Sequence, residues 1–153
     1  MASVKSRYTI NYDFKQFKEY NDKLKNLQND FDRFLENFLN YLANEIIRQA
    51  VPRTPVDTGR LRRSYKVTKV EFKGDYTEIT VYNDAKDNGA GESYASFVEL
   101  GHYTRNRVSF VKGVGMLRIA TDYVRARIQS AWDSEFDKWV RSNGLWVFKY
   151  QKT

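Results

Sequence analysis

The sequence predicts an α+β fold in which a small antiparallel β-sheet packs against a long N-terminal helix and a C-terminal helix. Three observations support this prediction. A helical pattern of apolar residues fills the first third of the chain, two alternating β-prone runs follow, and a second helical pattern precedes the C-terminus. The chain has 153 residues, which suits one domain with a real core, so we expect residues 1–153 to form a single domain.

The first helix is predicted over residues 13–50, after a flexible or strand-like lead-in at residues 1–12. Apolar residues recur there at alternating steps of three and four, and neither Gly nor Pro occurs before Pro52. The apolar stripe comprises Phe17, Tyr20, Leu24, Leu27, Phe31, Phe34, Phe38 and Tyr41. Such a helix is a rod of roughly 55 Å. The stripe is either a core face or a coiled-coil or oligomer interface, and Asn and Asp within residues 26–30 favour a break there.

A corner then joins the helix to the first predicted strand. Pro55 fixes its own φ and disfavours helical geometry at Thr54. Asp57 or Thr58 can cap a short turn with a side-chain oxygen, and Gly59 permits a backbone angle that other residues resist. The corner is either a well-formed turn alone or a turn that also serves a functional surface.

The arginines of this corner, Arg60, Arg62 and Arg63, belong to a larger pattern of charge. The chain carries a net charge of +7, with cations concentrated in residues 51–73 and 101–127 and anions concentrated in the block between them. Basic blocks of this kind bind nucleic acid, contact the acidic block of a neighbouring copy, or form a solvated surface of mixed sign.

Two alternating runs, residues 65–72 and 76–82, are rich in β-forming residues and are separated by Lys73-Gly74-Asp75. They predict an antiparallel hairpin. Residues 83–93 are acidic and contain Gly and Asn, so they predict an exposed, mobile loop. The polar and basic residues 102–113 predict a second mobile loop.

A short apolar element covers residues 94–101, and Gly101 is placed as its helix C-cap. A second helix is predicted over residues 114–142, where apolar residues recur at helical spacing before Asn143-Gly144. The apolar tail at residues 145–153 either adds a strand to the sheet or docks on a partner.

The residue types present argue against most kinds of catalysis. The chain has no Cys and one His, His102, so a His/Cys metal cluster is excluded. No nucleophile elbow or phosphate-binding glycine loop occurs. Acidic residues Asp84, Asp87, Glu92 and Glu99 offer ligands for a divalent ion in a nuclease, but their spacing matches no known metal loop. We therefore expect no enzyme and no cofactor. No apolar run is long enough to cross a membrane, and the N-terminus lacks a signal-peptide core.

Two motifs stand together in the sequence. Thr54-Pro55-Val56-Asp57-Thr58-Gly59-Arg60-Leu61-Arg62-Arg63-Ser64 is followed, one hairpin later, by Tyr94-Ala95-Ser96-Phe97-Val98-Glu99-Leu100-Gly101. With the order of elements around them, they resemble the tail-completion family of tailed bacteriophages, the neck or head–tail joining proteins also called minor structural proteins. The resemblance covers roughly residues 30–140. It marks as structural or assembly residues Thr54, Pro55, Asp57, Thr58, Gly59, Arg60, Leu61, Arg62, Arg63, Ser64, Tyr94, Ala95, Phe97, Val98, Glu99 and Gly101.

This resemblance implies an assembly role in a virion neck or tail, or in a phage-derived particle, put together in the bacterial host cytoplasm. Such proteins form a ring, usually a hexamer, between the connector or head-closure protein and the tail terminator or tail tube protein. The partners implied are therefore copies of the chain itself and these neighbours, with DNA passing through the channel and no membrane. The arginines at 60, 62 and 63 would face a neighbouring subunit or the DNA. The alternative function is a basic nucleic-acid-binding module.

Overall fold

The computed structural model describes the chain over residues 15–86 and 94–144. In order, its elements are α1 (Lys15–Ala50), a 3-10 turn (Val51–Arg53), α2 (Arg60–Arg63), β1 (Tyr65–Val67), β2 (Glu71–Lys73), β3 (Tyr76–Glu78), β4 (Val81–Asn83), α3 (Tyr94–Leu100), β5 (Gly101–Tyr103), β6 (Phe110–Lys112), α4 (Met116–Arg125) and α5 (Ile128–Ser142). This order confirms the α+β class. The predicted lead-in, the tail and residues 87–93 of the predicted acidic loop lie outside the described residues.

The chain divides into two compact units, Met1–Arg33 and Phe34–Thr153. In the first unit, the described structure is the N-terminal part of α1, where Leu24 is exposed and Leu27 half-buried. The helix is continuous through residues 26–30, so the break that we considered there does not occur. Asn and Asp each cost at most about 0.7 kcal/mol relative to Ala inside a helix, which is too little to interrupt it.

In the second unit, the remainder of α1 packs against α4 and α5. Phe38 and Leu42 are buried together with Val124 of α4. The rings of Phe34 and Phe38 meet Trp132 of α5 edge-on, at centroid distances of 5.4 and 5.2 Å. Such aromatic pairs contribute about 0.5–1.5 kcal/mol beyond the area they bury. This part of the predicted stripe is therefore a core face.

The second helical pattern forms two helices, so the single helix predicted over residues 114–142 is wrong. Ala126 and Arg127 interrupt it, with Arg127 at φ −113° and ψ −4° and its N–H donating to the Val124 carbonyl over 2.9 Å. Val124 in α4 and Trp132 in α5 both pack into the core cluster that includes α1. A turn between the two helices brings both side chains to the same partner, so tertiary packing and not a local Gly or Pro places the break.

The predicted hairpin is present, and it carries a β-bulge. β1 pairs with β4, with Val67 opposite Val81, and β2 pairs with β3, with Glu71 opposite Glu78. Between these pairs the first strand has three residues and the second has two, so one residue of the first strand has no counterpart. The two-residue turn falls at Gly74-Asp75, as predicted.

The segment at residues 102–113, predicted as a loop, forms most of a second hairpin. β5 and β6 pair antiparallel, and the Thr104 N–H donates to the Ser109 carbonyl beyond them over 2.8 Å. The turn includes Arg107 in a left-handed conformation at φ 54°. Strands of three residues are too short to show alternation, and the polar turn between them dominates the composition, which explains the wrong prediction.

Within residues 15–86 and 94–144, the strands form the two-stranded ladders β1–β4, β2–β3 and β5–β6, in place of the single sheet predicted. The start of the predicted acidic loop is also packed: Asn83 ends β4, and Ala85 is buried. The core of the second unit thus has one cluster on α1 and another where the two motifs meet.

Candidate functional site

Thr54 is the buried polar centre of the first motif, with only 1 % of its surface exposed. Its hydroxyl donates to the Ala50 carbonyl at the end of α1 over 2.9 Å and lies 2.7 Å from the Tyr65 hydroxyl. Because the Thr54 proton goes to a carbonyl, the Tyr65 hydroxyl is the donor of the second bond. The Tyr65 oxygen also lies 3.5 Å from the Met116 sulfur at the start of α4. Thr54 therefore ties the end of α1 to β1.

The environment of Tyr65 favours its neutral form. Burial raises the pKa of the Tyr65 hydroxyl, and the negative charge of Glu99 adds to the rise. A hydrogen bond with Asn83 opposes it. Tyr65 therefore stays protonated in the folded chain at neutral pH and acts as a hydrogen-bond donor.

The three corner arginines have different positions. The Arg62 Nε donates to the Thr54 carbonyl over 3.0 Å, and Arg62 is half-buried. The exposed Arg63 donates from Nη2 to the Thr58 carbonyl over 3.2 Å. Arg60 is also exposed. Arg62 thus stabilises the corner that it belongs to, whereas Arg60 and Arg63 present their charges to the surface.

Gly59 allows the corner to turn into α2, because it takes the left-handed φ of 73° at the N-cap position. A glycine has no capping side chain, so the cap that we expected from Asp57 or Thr58 is not found at that position. Ser64 ends α2: its hydroxyl donates to the Arg60 carbonyl over 2.9 Å.

Leu61 of the first motif and Ala95 of the second lie in one buried cluster. Ala85 and Met116 complete this cluster, and Val98 packs against it. The structure therefore brings the two motifs together, although a hairpin separates them in sequence.

Asn83 links the same regions through polar contacts. Its side-chain amide donates to the Leu61 carbonyl over 2.7 Å, and its side-chain oxygen accepts from the Ala85 N–H over 3.0 Å. The motif resemblance does not mark this residue, and the sequence prediction placed it in the acidic loop, directly after the strand at residues 76–82.

Glu99 caps helix α4 from outside that helix. Its two carboxylate oxygens accept hydrogen bonds from the backbone N–H groups of Leu117 and Arg118, over 3.0 and 2.9 Å. These groups belong to the first turn of α4, which has no partners for them within the helix. The N-cap residue is Gly115, which has no side chain, so Glu99 acts as the capping group of α4.

Gly101 lies where the backbone of the second motif crosses the segment before α4. A Cβ added at Gly101 would lie 2.5 Å from the Val111 carbonyl, and one added at Gly113 would lie 2.3 Å from the Glu99 carbonyl. Both positions therefore require glycine for close approach of two backbones. Gly101 also has a φ of 88° directly after α3, which agrees with the predicted C-cap.

An open groove of about 330 Å³ runs along the exposed side of the two motifs. Corner residues from Pro55 to Leu61 line one side, and Lys86 and Tyr94 line the other. Asp57 and Thr58 are exposed here. Phe97 is also exposed, and its ring contacts His102 at a centroid distance of 5.7 Å. The motifs thus have a buried half that holds the fold and an exposed half that is available for contact.

The acidic residues considered as metal ligands have other roles where the structure describes them. Asp84 forms an ion pair with Lys66, and Glu99 caps α4. Asp87 and Glu92 lie outside the described residues. Within residues 15–86 and 94–144, no group of three His, Asp or Glu side chains is arranged to hold a metal ion. In the same ranges, no helix is both long and apolar enough to cross a bilayer.

The fold and the paired motifs define a small α+β protein whose corner and second motif share one core and one surface groove. Comparison with protein families then gives its family. The chain belongs to the family described as "Bacteriophage HK97-gp10, putative tail-component", whose model matches residues 18–101, more than half of the chain. No curated protein matches the chain, and no solved structure does so either.

The family match runs from α1 to the end of the second motif, so both motifs lie inside it. It confirms the resemblance to phage tail proteins that the motifs indicated. The family is one of phage tail components, which supports a structural role in a phage particle.

Proposed function

We propose that this protein is a structural component of a phage or phage-derived particle that forms a ring at the head–tail junction or the tail end. In this position it joins the connector or head-closure protein to the tail tube or terminator. The observation that carries the proposal is the family match over both motifs. A ring of identical subunits, with a hexamer as the expected number, requires contacts between copies of the chain.

The exposed apolar side chains support the proposal that this protein assembles with other proteins. Leu100 is 76 %, Tyr103 66 % and Val108 82 % exposed, and all three lie on the segment formed by α3, β5 and the turn after it. Large apolar side chains grouped on a surface mark sites where another protein binds. Tyr and other aromatic residues are enriched in such interfaces, and this chain is 16 % aromatic.

Arg60 is the corner cation best placed to contact a partner, because it is exposed and lines the groove between the motifs. Arg62 is half-buried and donates to the Thr54 carbonyl. We propose that Arg60 faces the acidic block of a neighbouring subunit. The alternative is that Arg60 lines a channel for DNA. A channel surface that lets DNA slide gains little from a cation held in a groove between two motifs.

Electron microscopy of particles made without this protein tests the proposed function. We expect heads and tails that are not joined, or tails with faulty ends. Normal infectious particles would contradict the proposal.

Arg60→Glu tests the role of the groove. We expect the variant to unfold at the same urea concentration as the parent and to lower the yield of joined particles at least about tenfold, since a like charge replaces an attractive one at an interface. Lys69→Glu is the matched control, because Lys69 is exposed on the bulged strand outside the groove. Equal yields for the two variants would show that Arg60 is a surface cation only.

The alternative function, a basic nucleic-acid-binding module, is favoured by residues 101–127, which carry six cations and one anion. It predicts duplex binding by the isolated protein that weakens steeply between about 50 and 200 mM salt. Absence of binding at low salt would remove it.

A further inference from the structure

We propose that the β5–β6 hairpin of one copy docks into an apolar groove of the next copy, between α1, the β2–β3 turn and the start of α5. We call residues 101–112 the ribbon, and the groove lined by Leu35, Phe38, Leu39, Tyr76, Ile128 and Trp132 the receiving groove. The inference rests on the proposed function for the identity of the neighbour, and it names the surfaces through which the ring would be built.

The ribbon presents apolar side chains on both of its faces. Tyr103 and Phe110 face each other across the two strands, with ring centroids 5.1 Å apart, and they are 66 % and 54 % exposed. Val111, one residue along, points to the opposite face and is also exposed. An isolated two-stranded hairpin is marginally stable, so a ribbon with two apolar faces is stabilised when a partner covers it.

The receiving groove is the complementary feature. It has a volume of about 660 Å³, and α1 and α5 supply most of its apolar lining through side chains such as Phe38, Leu39 and Trp132. Tyr76 and Ile128 line it as well and remain exposed. Its volume falls within the range of about 300–1,000 Å³ that buries most of a drug-sized molecule, so it can take two or three large side chains.

The ribbon is basic, and the charged residue in the lining of the receiving groove is acidic. The ribbon carries Arg105, Arg107 and Lys112 and no acidic residue. Asp75 is the charged residue that lines the receiving groove. Gln129, also in the lining, donates from its amide to the Asp133 carboxylate over 2.9 Å, which places a second acid beside the groove. A basic ribbon with apolar faces therefore matches an apolar groove with an acidic rim.

The positions of the two surfaces suit contact between copies. The ribbon is joined to the N-terminal end of α4 by residues 113–115, whereas the groove includes Ile128 and Gln129, beyond the C-terminal end of α4. A helix of ten residues separates these ends by about 15 Å. Two different surfaces near opposite ends of α4 can form a head-to-tail contact between copies, and a contact of this kind closes into a ring when its rotation permits.

Duplex DNA is a poorer occupant for the ribbon. Phosphates are bound by cations and hydrogen-bond donors, so DNA would leave Tyr103, Phe110 and Val111 in contact with water. A protein groove buries these side chains and also supplies the acidic partner for Arg105 and Arg107.

Disulfide trapping tests the contact, since the chain has no Cys of its own. Val108→Cys places a thiol on the ribbon turn, and Gln129→Cys places one in the receiving groove. Particles assembled from a mixture of the two single variants are expected to yield a disulfide-linked dimer of about twice 18.1 kDa after mild oxidation. The double variant is expected to give a ladder of linked copies. Val108→Cys mixed with Lys69→Cys is the control pair and is expected to yield little dimer.

Phe110→Ser in the Val108→Cys background gives a second, independent readout. We expect this change to lower the yield of the disulfide-linked dimer with Gln129→Cys at least about tenfold. The variant lacks the Phe110 ring, which is half-exposed in the single copy and which the groove of the next copy would bury. Phe72→Ser is the matched control, since Phe72 is comparably exposed on the other hairpin. Equal unfolding midpoints for the two Ser variants show that folding is not the cause.

The outcomes separate this inference from the proposed function. Particles that contain the protein in the neck or tail but give no Val108–Gln129 dimer above the control pair overturn the docking contact and leave the function in place. A Val108→Cys adduct with a different particle protein, or protection of the ribbon by DNA, overturns it as well. Absence of the protein from the particles overturns the function and the contact together.

Discussion

Replacing Glu99 with Ala is expected to lower the free energy of unfolding by about 1–3 kcal/mol. The Glu99 carboxylate accepts two hydrogen bonds, from the N–H groups of Leu117 and Arg118. The N-cap residue of α4 is Gly115, which has no side chain to cap the helix. Loss of an N-cap costs about 0.5–2 kcal/mol, and loss of a negative charge at a helix N-terminus costs about 0.3–1 kcal/mol. The two contributions together give the expected range.

Urea unfolding followed by tryptophan fluorescence measures this loss, and thermal unfolding gives a second estimate at roughly 2–4 °C per kcal/mol. Glu99→Gln is expected to lie between the parent and the Ala variant, because an amide oxygen accepts one of the two bonds without the charge. Glu36→Ala is the control, since Glu36 is exposed on α1 and surface changes of this kind alter stability by about 0.5 kcal/mol or less.

Hydrogen exchange shows whether the loss arises at the cap. In Glu99→Ala, the amides of Leu117 and Arg118 are expected to exchange faster relative to the rest of α4. If Glu99→Ala and Glu36→Ala destabilise the chain equally, or if these two amides keep their protection, Glu99 is not the cap of α4 in solution and our reasoning about the second motif is refuted.

Two further predictions concern backbone approach and pH. Gly113→Ala is expected to cost about 3 kcal/mol or more, because its Cβ would lie 2.3 Å from a carbonyl oxygen of α3. In Gly74→Ala the added Cβ meets no atom within 4 Å apart from the adjacent residues, so this variant is expected to cost only the roughly 1–2 kcal/mol of a left-handed residue. Equal losses in the two variants would contradict the crossing of the two backbones. Burial raises the pKa of Tyr65, so the folded chain holds this proton more tightly than the unfolded chain, whose Tyr pKa is about 10. Its contribution to stability is complete below about pH 10 and is lost as the pH rises through the folded-state pKa. Tyr65→Phe should therefore make the fall in unfolding free energy above pH 10 shallower, and the same slope in this variant and in the parent would contradict this account.

The parts of the fold that the sequence predicts correctly depend on local signals. α1 follows from an apolar stripe with no Gly or Pro before Pro52, and the turn of the first hairpin follows from Gly74-Asp75 between two alternating runs. Gly101 follows α3 as its C-cap because a left-handed glycine stops a helix by itself. In each case the residues that determine the structure are neighbours along the chain.

The features that the sequence does not reveal depend on distant contacts. The break at Ala126–Arg127 exists because α4 and α5 both pack in the cluster that contains α1, and nothing in the local residues marks it. The extra residue of the β-bulge shows only when the two strands are aligned. Glu99 was found as a motif residue, but its role as a cap required the position of α4.

The sequence marks the motif residues of the candidate site, and the structure adds the contacts that each of them makes. Leu61 and Ala95 share a core, so the two motifs act as one unit. Arg62 had the same status as Arg60 in the sequence, and only the structure shows that Arg62 is half-buried against the Thr54 carbonyl and that Arg60 is exposed. The exposure of each guanidinium depends on side-chain geometry that spacing alone does not encode.

The packing of α1 against α5 has a consequence for synthesis of the chain. Phe34 and Phe38 emerge from the ribosome early, while Trp132, the ring that both contact, follows roughly a hundred residues later. At about 5–20 residues per second, this delay lasts on the order of ten seconds. During that interval the apolar face of the nascent α1 lacks its final partner, so a chaperone that binds nascent apolar helices would compete with premature association between copies on neighbouring ribosomes.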